Sequence, residues 1–150
     1  MNVEAKVTIK ATKEAIWAVI SHIENAAQRI SGIEQIEILE RPAAGIVGLK
    51  WKETRTVFGK TAAEVMWITD SAEHEFYQTR AESHGCVYIS KMSIAAHGNS
   101  STLTMTHATQ PQSFVSKLVA IPMGFAFKGV FKKLLAKDLG DIKAAVEGTG

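Results

Sequence analysis

Residues 74–109, HEFYQTRAESHGCVYISKMSIAAHGNSSTLTMTHAT, decide the fold. They divide into three alternating runs, 74–82, 86–95 and 101–109, broken at His84-Gly85 and Gly98-Asn99. Connections this short between alternating runs imply antiparallel hairpins. A turn at His84-Gly85 sets Ala81 opposite Tyr88 and Tyr77 opposite Met92. A loop at 97–100 sets Met92 opposite Met105, Ser90 opposite His107 and Ile94 opposite Leu103. The two registers are independent, yet they agree on one inner face: Tyr77, Tyr88, Ser90, Met92, Ile94, Leu103, Met105 and His107. Arg80, Glu82, Lys91, Thr102, Thr104 and Thr106 fall on the opposite face. Side chains alternate with a period of two, so this is a sheet with one apolar side.

Working outward, residues 2–10 alternate in the same way, with Val3, Ala5, Val7 and Ile9 on one side. Thr12 then offers an N-cap to a helix, KEAIWAVI. Ser21-His22-Ile23-Glu24 reads as a capping box opening a second short helix, which ends at Ser31-Gly32. Three more strands are predicted at 33–40, 46–57 and 61–69, with breaks at residues 41–45, Gly59-Lys60 and Asp70-Ser71. Beyond Pro111, Phe127, Phe131, Leu134, Leu135, Ile142 and Val146 recur at helical spacing. Pro122 places the start of that long helix near 123, with 112–121 as a separate short segment. The sum is one α+β domain over 1–150, with seven antiparallel strands, two short helices between the first two, and a long C-terminal helix. The sheet must bury its apolar face, and the helix is the available cover. A curved sheet around one helix leaves a cavity between them.

The strand 46–57 puts charge on the buried side. Lys50, Lys52, Thr54 and Thr56 share the outer face, which leaves Trp51, Glu53 and Arg55 facing inward. A turn at Gly59-Lys60 would set Arg55 opposite Glu64 and Glu53 opposite Met66. Arg55 is expected to pair with Glu64, with the diagonal Glu53, or with both, which would satisfy the guanidinium. Val65 and Trp67 make the other face of 61–69 equally apolar, so its inward face stays open.

Composition excludes several classes. Apolar residues are 46% and charged residues 21% of 150, an ordinary globular mix. A net charge of +2 is too small to argue for nucleic acid by itself, the basic and aromatic interleaving of nucleic-acid binders is absent so no nucleic-acid partner is expected, and a single cysteine excludes an internal disulfide. No nucleophile elbow, P-loop, H-E-x-x-H or C-x-x-C occurs, and the histidines at 22, 74, 84, 97 and 107 lack metal-ligand spacing. No resident cofactor or metal is therefore expected. The alternating N-terminus lacks a signal peptide's apolar core, and the longest apolar run is ten residues, so a soluble cytoplasmic chain is expected. From Ser83 to Lys137 there is no Asp or Glu, but there are six lysines. That face is either a solvated helix surface or a rim that attracts anionic ligands or membranes. Residues 112–131 are apolar but carry Pro122, Gly124 and Gly129. They are expected to form the cavity mouth, with Lys117 and Lys128 near its rim.

Three stretches then carry a resemblance: EAIWAVI at 14–20, GIVGLKWKETR at 45–55 and KDLGDIKAAVE at 137–147. With the element order, they resemble the START-like superfamily, also called SRPBCC or Bet v 1-like, which includes polyketide cyclase/dehydrase-type domains. The resemblance covers nearly the whole chain. It implies a helix-grip fold with a deep cavity for a hydrophobic or amphipathic small molecule such as a lipid, polyketide or quinone. Some members are cyclases and some only carry ligand, and no universal catalytic set transfers. A non-catalytic carrier is the first expectation; a cyclase, aromatase or dehydratase is the alternative. The expected ligand-binding residues are Trp51, Glu53, Arg55, Glu64, Met66, Tyr77, Tyr88, Ser90, Met92, Met105, His107, Phe127 and Phe131. Arg55 is expected to orient an anionic or carbonyl end. Further expected partners are a membrane surface, met through 112–137, and a second copy across an open sheet edge.

Overall fold

The computed structural model describes the backbone of residues 2–83, 85–111 and 114–149, and the side chains of residues 2–83, 85–110 and 128–148. Strand β1 (Asn2–Ile9) leads into helix α1 (Lys13–Ile20), a single 3-10 turn (Ile23–Asn25) and the short helix α2 (Ala26–Arg29). Strands β2 (Ile33–Glu40), β3 (Lys50–Val57), β4 (Lys60–Ala72), β5 (Phe76–Ser83), β6 (Cys86–His97) and β7 (Ser100–Pro111) follow, then helix α3 (Phe114–Thr149). The strands form one antiparallel sheet in the order β1-β7-β6-β5-β4-β3-β2, so β1 and β2 are its edges.

The alternation that identified the sheet is the alternation of burial. Val3, Ala5 and Ile9 of β1 are buried between exposed neighbours. Met92 stands opposite Met105, Ser90 opposite His107 and Tyr77 opposite Met92. Helix α3 packs on β1, β7 and α1, toward one edge of the curved sheet. Its buried residues Leu135, Leu139, Ile142 and Val146 recur every three or four positions and join Ile9, Ile94 and Leu103 in the core. Two clasps hold it there. Lys143 Nζ donates to the Thr8 carbonyl at 2.9 Å, and Ser31 donates to Asp141 Oδ2 through its backbone N–H at 3.0 Å and its hydroxyl at 2.9 Å. With the helix anchored near β1, the described residues leave space over the part of the sheet around β3–β5.

Four local expectations are corrected. Ser21 does not open a capping box: it ends α1, and its hydroxyl donates to the Trp17 carbonyl at 2.6 Å. Asp70-Ser71 is no break, because β4 continues through a register shift between Ile68 and Asp70 and turns at 73–75. Pro122 does not divide the C-terminal helix, which is continuous from Phe114 to Thr149. Finally, the β3–β4 turn is Phe58-Gly59, with Val57 opposite Lys60. The pairing thus moves by two residues from the expected register. Two residues preserve the face, so Glu64 and Met66 point inward, but Glu64 now lies opposite Glu53, and Arg55 opposite Ala62. Trp67 faces outward, where Lys50 Nζ lies 5.8 Å from its ring centroid.

The turn departs from the expected Gly59-Lys60 because Phe58 is an unusual residue for it. Phe58 and Gly59 have φ of 53° and 75°, the left-handed pair of a type I′ hairpin, where asparagine before glycine is favoured. Phe58 is also 77% exposed, so packing does little to offset the strain. Phe58→Asn should therefore raise unfolding stability by about 1 kcal/mol in a urea titration. A loss of stability would mean that Phe58 makes a native contact worth more than the strain.

Candidate functional site

Between the sheet and α3 lies a cavity of about 720 Å³. Its walls come from β3–β7, α1, the α2–β2 turn and α3, and they are mostly apolar: Met66, Met92, Met105, Ala81, Ile30 and Leu135 are among them. Methionine suits a wall that adapts to what it meets. Two polar groupings interrupt it.

The first is a triad across the gap. Arg55 Nε donates to Glu53 Oε2 at 2.6 Å. Its Nη2 and Nη1 donate to Asp138 Oδ2 and Oδ1, at 2.9 and 3.4 Å. Trp51 Nε1 donates to the other Glu53 oxygen at 3.3 Å. The triad therefore ties β3 to α3. Side-chain exposure is 31% for Arg55, 12% for Glu53 and 9% for Asp138. Burial opposes the charge on Arg55, but the two carboxylates outweigh it and hold the guanidinium above its ordinary pKa. Burial likewise pushes the Asp138 carboxyl up, against the pull of Arg55. A Cβ on Gly32 would lie 3.3 Å from Arg55 Nη1, so glycine leaves room for the guanidinium.

The second grouping sits on β6 and β7. Ser90 Oγ and His107 Nδ1 are 2.8 Å apart. The imidazole is stacked on Tyr88 with centroids 5.9 Å apart and tilted against Phe131 at 4.6 Å. Burial pushes the His107 pKa down to about 4, so the ring is neutral at pH 7, with one donor and one acceptor nitrogen. Burial, with help from Glu53, raises the Tyr77 hydroxyl's pKa. Tyr77 packs edge-on to Trp17 at 6.2 Å.

Twelve of the thirteen residues expected from the sequence border this cavity: Trp51, Glu53, Arg55, Glu64, Met66, Tyr77, Tyr88, Ser90, Met92, Met105, His107 and Phe131. The side chain of Phe127, and those of residues 112–127 within the mouth expected at 112–131, lie outside the described residues. Of the two expected partners of Arg55, Glu53 pairs with it, while Asp138 takes the place expected of Glu64. Sequence reasoning missed Asp138 as a site residue. It had a signal: 138 continues the inward series of 131, 134, 135 and 142, so its carboxylate sits on the apolar stripe. Among the described residues no group of His, Cys, Asp or Glu is arranged to hold a metal ion, and no helix is long and apolar enough to cross a membrane.

Residues 1–147 match the family of polyketide cyclase / dehydrase and lipid transport proteins. The chain belongs to that family. No curated protein matches the sequence. Among solved structures, a START superfamily protein from Mycobacterium smegmatis is 21% identical, with a TM-score of 0.78 and 99% of each chain covered. The Zhui aromatase/cyclase from Streptomyces sp. R1128 is 18% identical, with a TM-score of 0.76, covering 98% of this chain and 93% of its own. The protein TTHA0849 from Thermus thermophilus is 11% identical, with a TM-score of 0.80, covering 100% of this chain and 99% of its own. The fold is the helix-grip fold of the START and Bet v 1-like proteins.

Proposed function

We propose that this chain binds a hydrophobic or amphipathic small molecule between its sheet and α3, as a carrier. The observation behind this reading is the 720 Å³ space itself, apolar over most of its wall and polar at two defined places. Ligand sites have this constitution: apolar area for affinity and a few polar groups for orientation. Met105→Trp should fill the space while leaving the fold intact, since Met105 is only half-buried on the cavity wall. Binding of the uncharged fluorophore N-phenyl-1-naphthylamine should weaken at least tenfold in that variant. Unchanged binding in a folded variant would place the probe elsewhere and overturn the reading. Native mass spectrometry of the purified protein would give the mass of any retained ligand.

A second reading, a cyclase- or dehydratase-type enzyme, draws on the Ser90–His107 hydrogen bond. A neutral imidazole that borders the cavity can accept a proton from an enolising carbon, and its hydroxyl partner can fix the ring's orientation. His107→Phe would then abolish turnover of a poly-β-keto substrate while leaving its binding in place. Peripheral contact of 112–137 with anionic membranes belongs to the carrier reading, and is tested by liposome binding that fades with salt.

A further inference from the structure

We propose that the tip of the β3–β4 hairpin is a membrane-docking element, with Phe58 entering the apolar edge of an anionic bilayer and Lys60 meeting its headgroups. This deepens the carrier reading and rests on it: a ligand that suits an apolar cavity dissolves in a bilayer far better than in water. Three observations converge on Phe58. It is 77% exposed, more than any other large hydrophobic side chain among the described residues. Its φ of 53° is left-handed, a position that strains an aromatic residue and suits asparagine. It also borders the cavity, together with Val57, Lys60, Ala62 and Ala63 of the same hairpin. A strained aromatic side chain in water does little for the fold, and departures of this kind from local rules concentrate at functional sites.

The surroundings of Phe58 select a bilayer as the partner. Residues 54–63, TRTVFGKTAA, contain no Asp or Glu. The flanking carboxylates, Glu53 and Glu64, lie on the inner face of the sheet. Residues 58–63 are all exposed, and the Thr56 and Thr61 hydroxyls, 3.0 Å apart, close the ladder behind the tip. The tip therefore offers a ring, small side chains and a cation, the combination by which short apolar segments bind an anionic interface. The opposite wall of the cavity repeats it: Phe131 borders the cavity on α3, and Lys128, Val130 and Lys132 beside it are exposed. A tip of this size falls well short of the ~800 Å² per partner that a stable protein interface buries. A fluid bilayer takes up a single protruding ring without a shaped counterpart.

The test is sedimentation with vesicles of phosphatidylcholine containing about 30% phosphatidylglycerol, in about 0.15 M salt. The wild-type protein should sediment with them. Phe58→Asn should bind at least tenfold more weakly, although it leaves all of 112–137 in place. Phe58→Trp should bind at least as tightly as the wild type. Lipids brominated in their acyl chains should quench its emission beyond the quenching that Trp17, Trp51 and Trp67 show in the wild type. That variant serves if Phe58→Asn does not fold. No vesicle binding by the wild type, equal binding by Phe58→Asn, or no added quenching in Phe58→Trp would overturn the proposal and leave the carrier reading standing. So would a wild-type dimer that Phe58→Asn converts to a monomer in analytical ultracentrifugation, since the tip would then meet a second copy. Failure of N-phenyl-1-naphthylamine to bind the wild type without vesicles would overturn the carrier reading and this proposal with it.

Discussion

Arg55→Met should cost about 3 kcal/mol of unfolding stability at pH 7, among the larger losses a single substitution produces. The cost does not come from the ion pairs as such. A paired buried charge roughly offsets its own desolvation, but removing one partner strands the other. Here one substitution strands two carboxylates, Glu53 and Asp138, whose side chains are 12% and 9% exposed. Breaking such a pair costs roughly 3–5 kcal/mol, and the lower end applies because the Arg55 side chain is itself 31% exposed.

The pH dependence identifies the cause. A stranded buried carboxylate has its pKa raised in the folded state, so the folded variant binds more protons than its unfolded chain. Its stability deficit is therefore full at neutral pH and shrinks as pH falls toward the ordinary carboxylate range. The triple variant Arg55→Met, Glu53→Gln, Asp138→Asn should regain much of the loss, since no bare charge remains. Urea unfolding of the three proteins at pH 7 and pH 5 measures this. An Arg55→Met variant as stable as the wild type at pH 7 would mean that the triad is fully hydrated.

The triad also shows where the sequence was legible and where it stopped being so. Strand parity alone put Trp51, Glu53 and Arg55 on the inner face, because Lys50 and Lys52 could not share it. Parity survives a two-residue slip, so Glu64 and Met66 kept their face although the turn was misplaced. Parity does not survive as partner identity: Glu53 is a partner of Arg55 as expected, but the second partner is Asp138 and not Glu64. The error began at Phe58, which occupies a left-handed position that aromatic side chains rarely take. At Gly85 and Gly98, with φ of 74° and 62°, glycine takes the left-handed position, and both hairpins have the register that the alternation predicts. Helix α3 failed in another way. A proline inside a helix costs about 3 kcal/mol and a hydrogen bond, but that cost does not forbid continuation. The Ser21 reading failed because a serine at a helix end can serve as the last residue of one helix as well as the first of another. What contacts what across the gap between sheet and helix is set by tertiary packing, which leaves no local pattern. Asp138 was visible only as an acidic residue at apolar spacing.

His107 should make the fold acid-sensitive before its carboxylates do. Burial lowers its folded-state pKa from 6.5 to about 4. In the unfolded chain the imidazole takes up its proton near 6.5, while in the folded chain it stays neutral until about 4. Over that interval the unfolded state binds more protons, so stability rises with pH and is lost as pH falls. The contribution is fully present above about pH 7. Integrated down to pH 4, the loss from this one group is about 3 kcal/mol, since one pKa unit corresponds to ~1.4 kcal/mol. Against a total of roughly 5–15 kcal/mol for a domain, that is a large share. His107→Gln keeps a hydrogen-bonding group near Ser90 and removes the titration. Unfolding free energies measured from pH 8 to pH 4.5 should therefore fall more steeply for the wild type than for the variant, and the difference should open below pH 6.5. An NMR titration gives the same answer directly: the His107 ring signals should hold their neutral positions down to pH 5. Parallel stability profiles, or a ring that titrates near 6.5, would show that water reaches the imidazole beside Ser90 and that Tyr88 and Phe131 do not seal it.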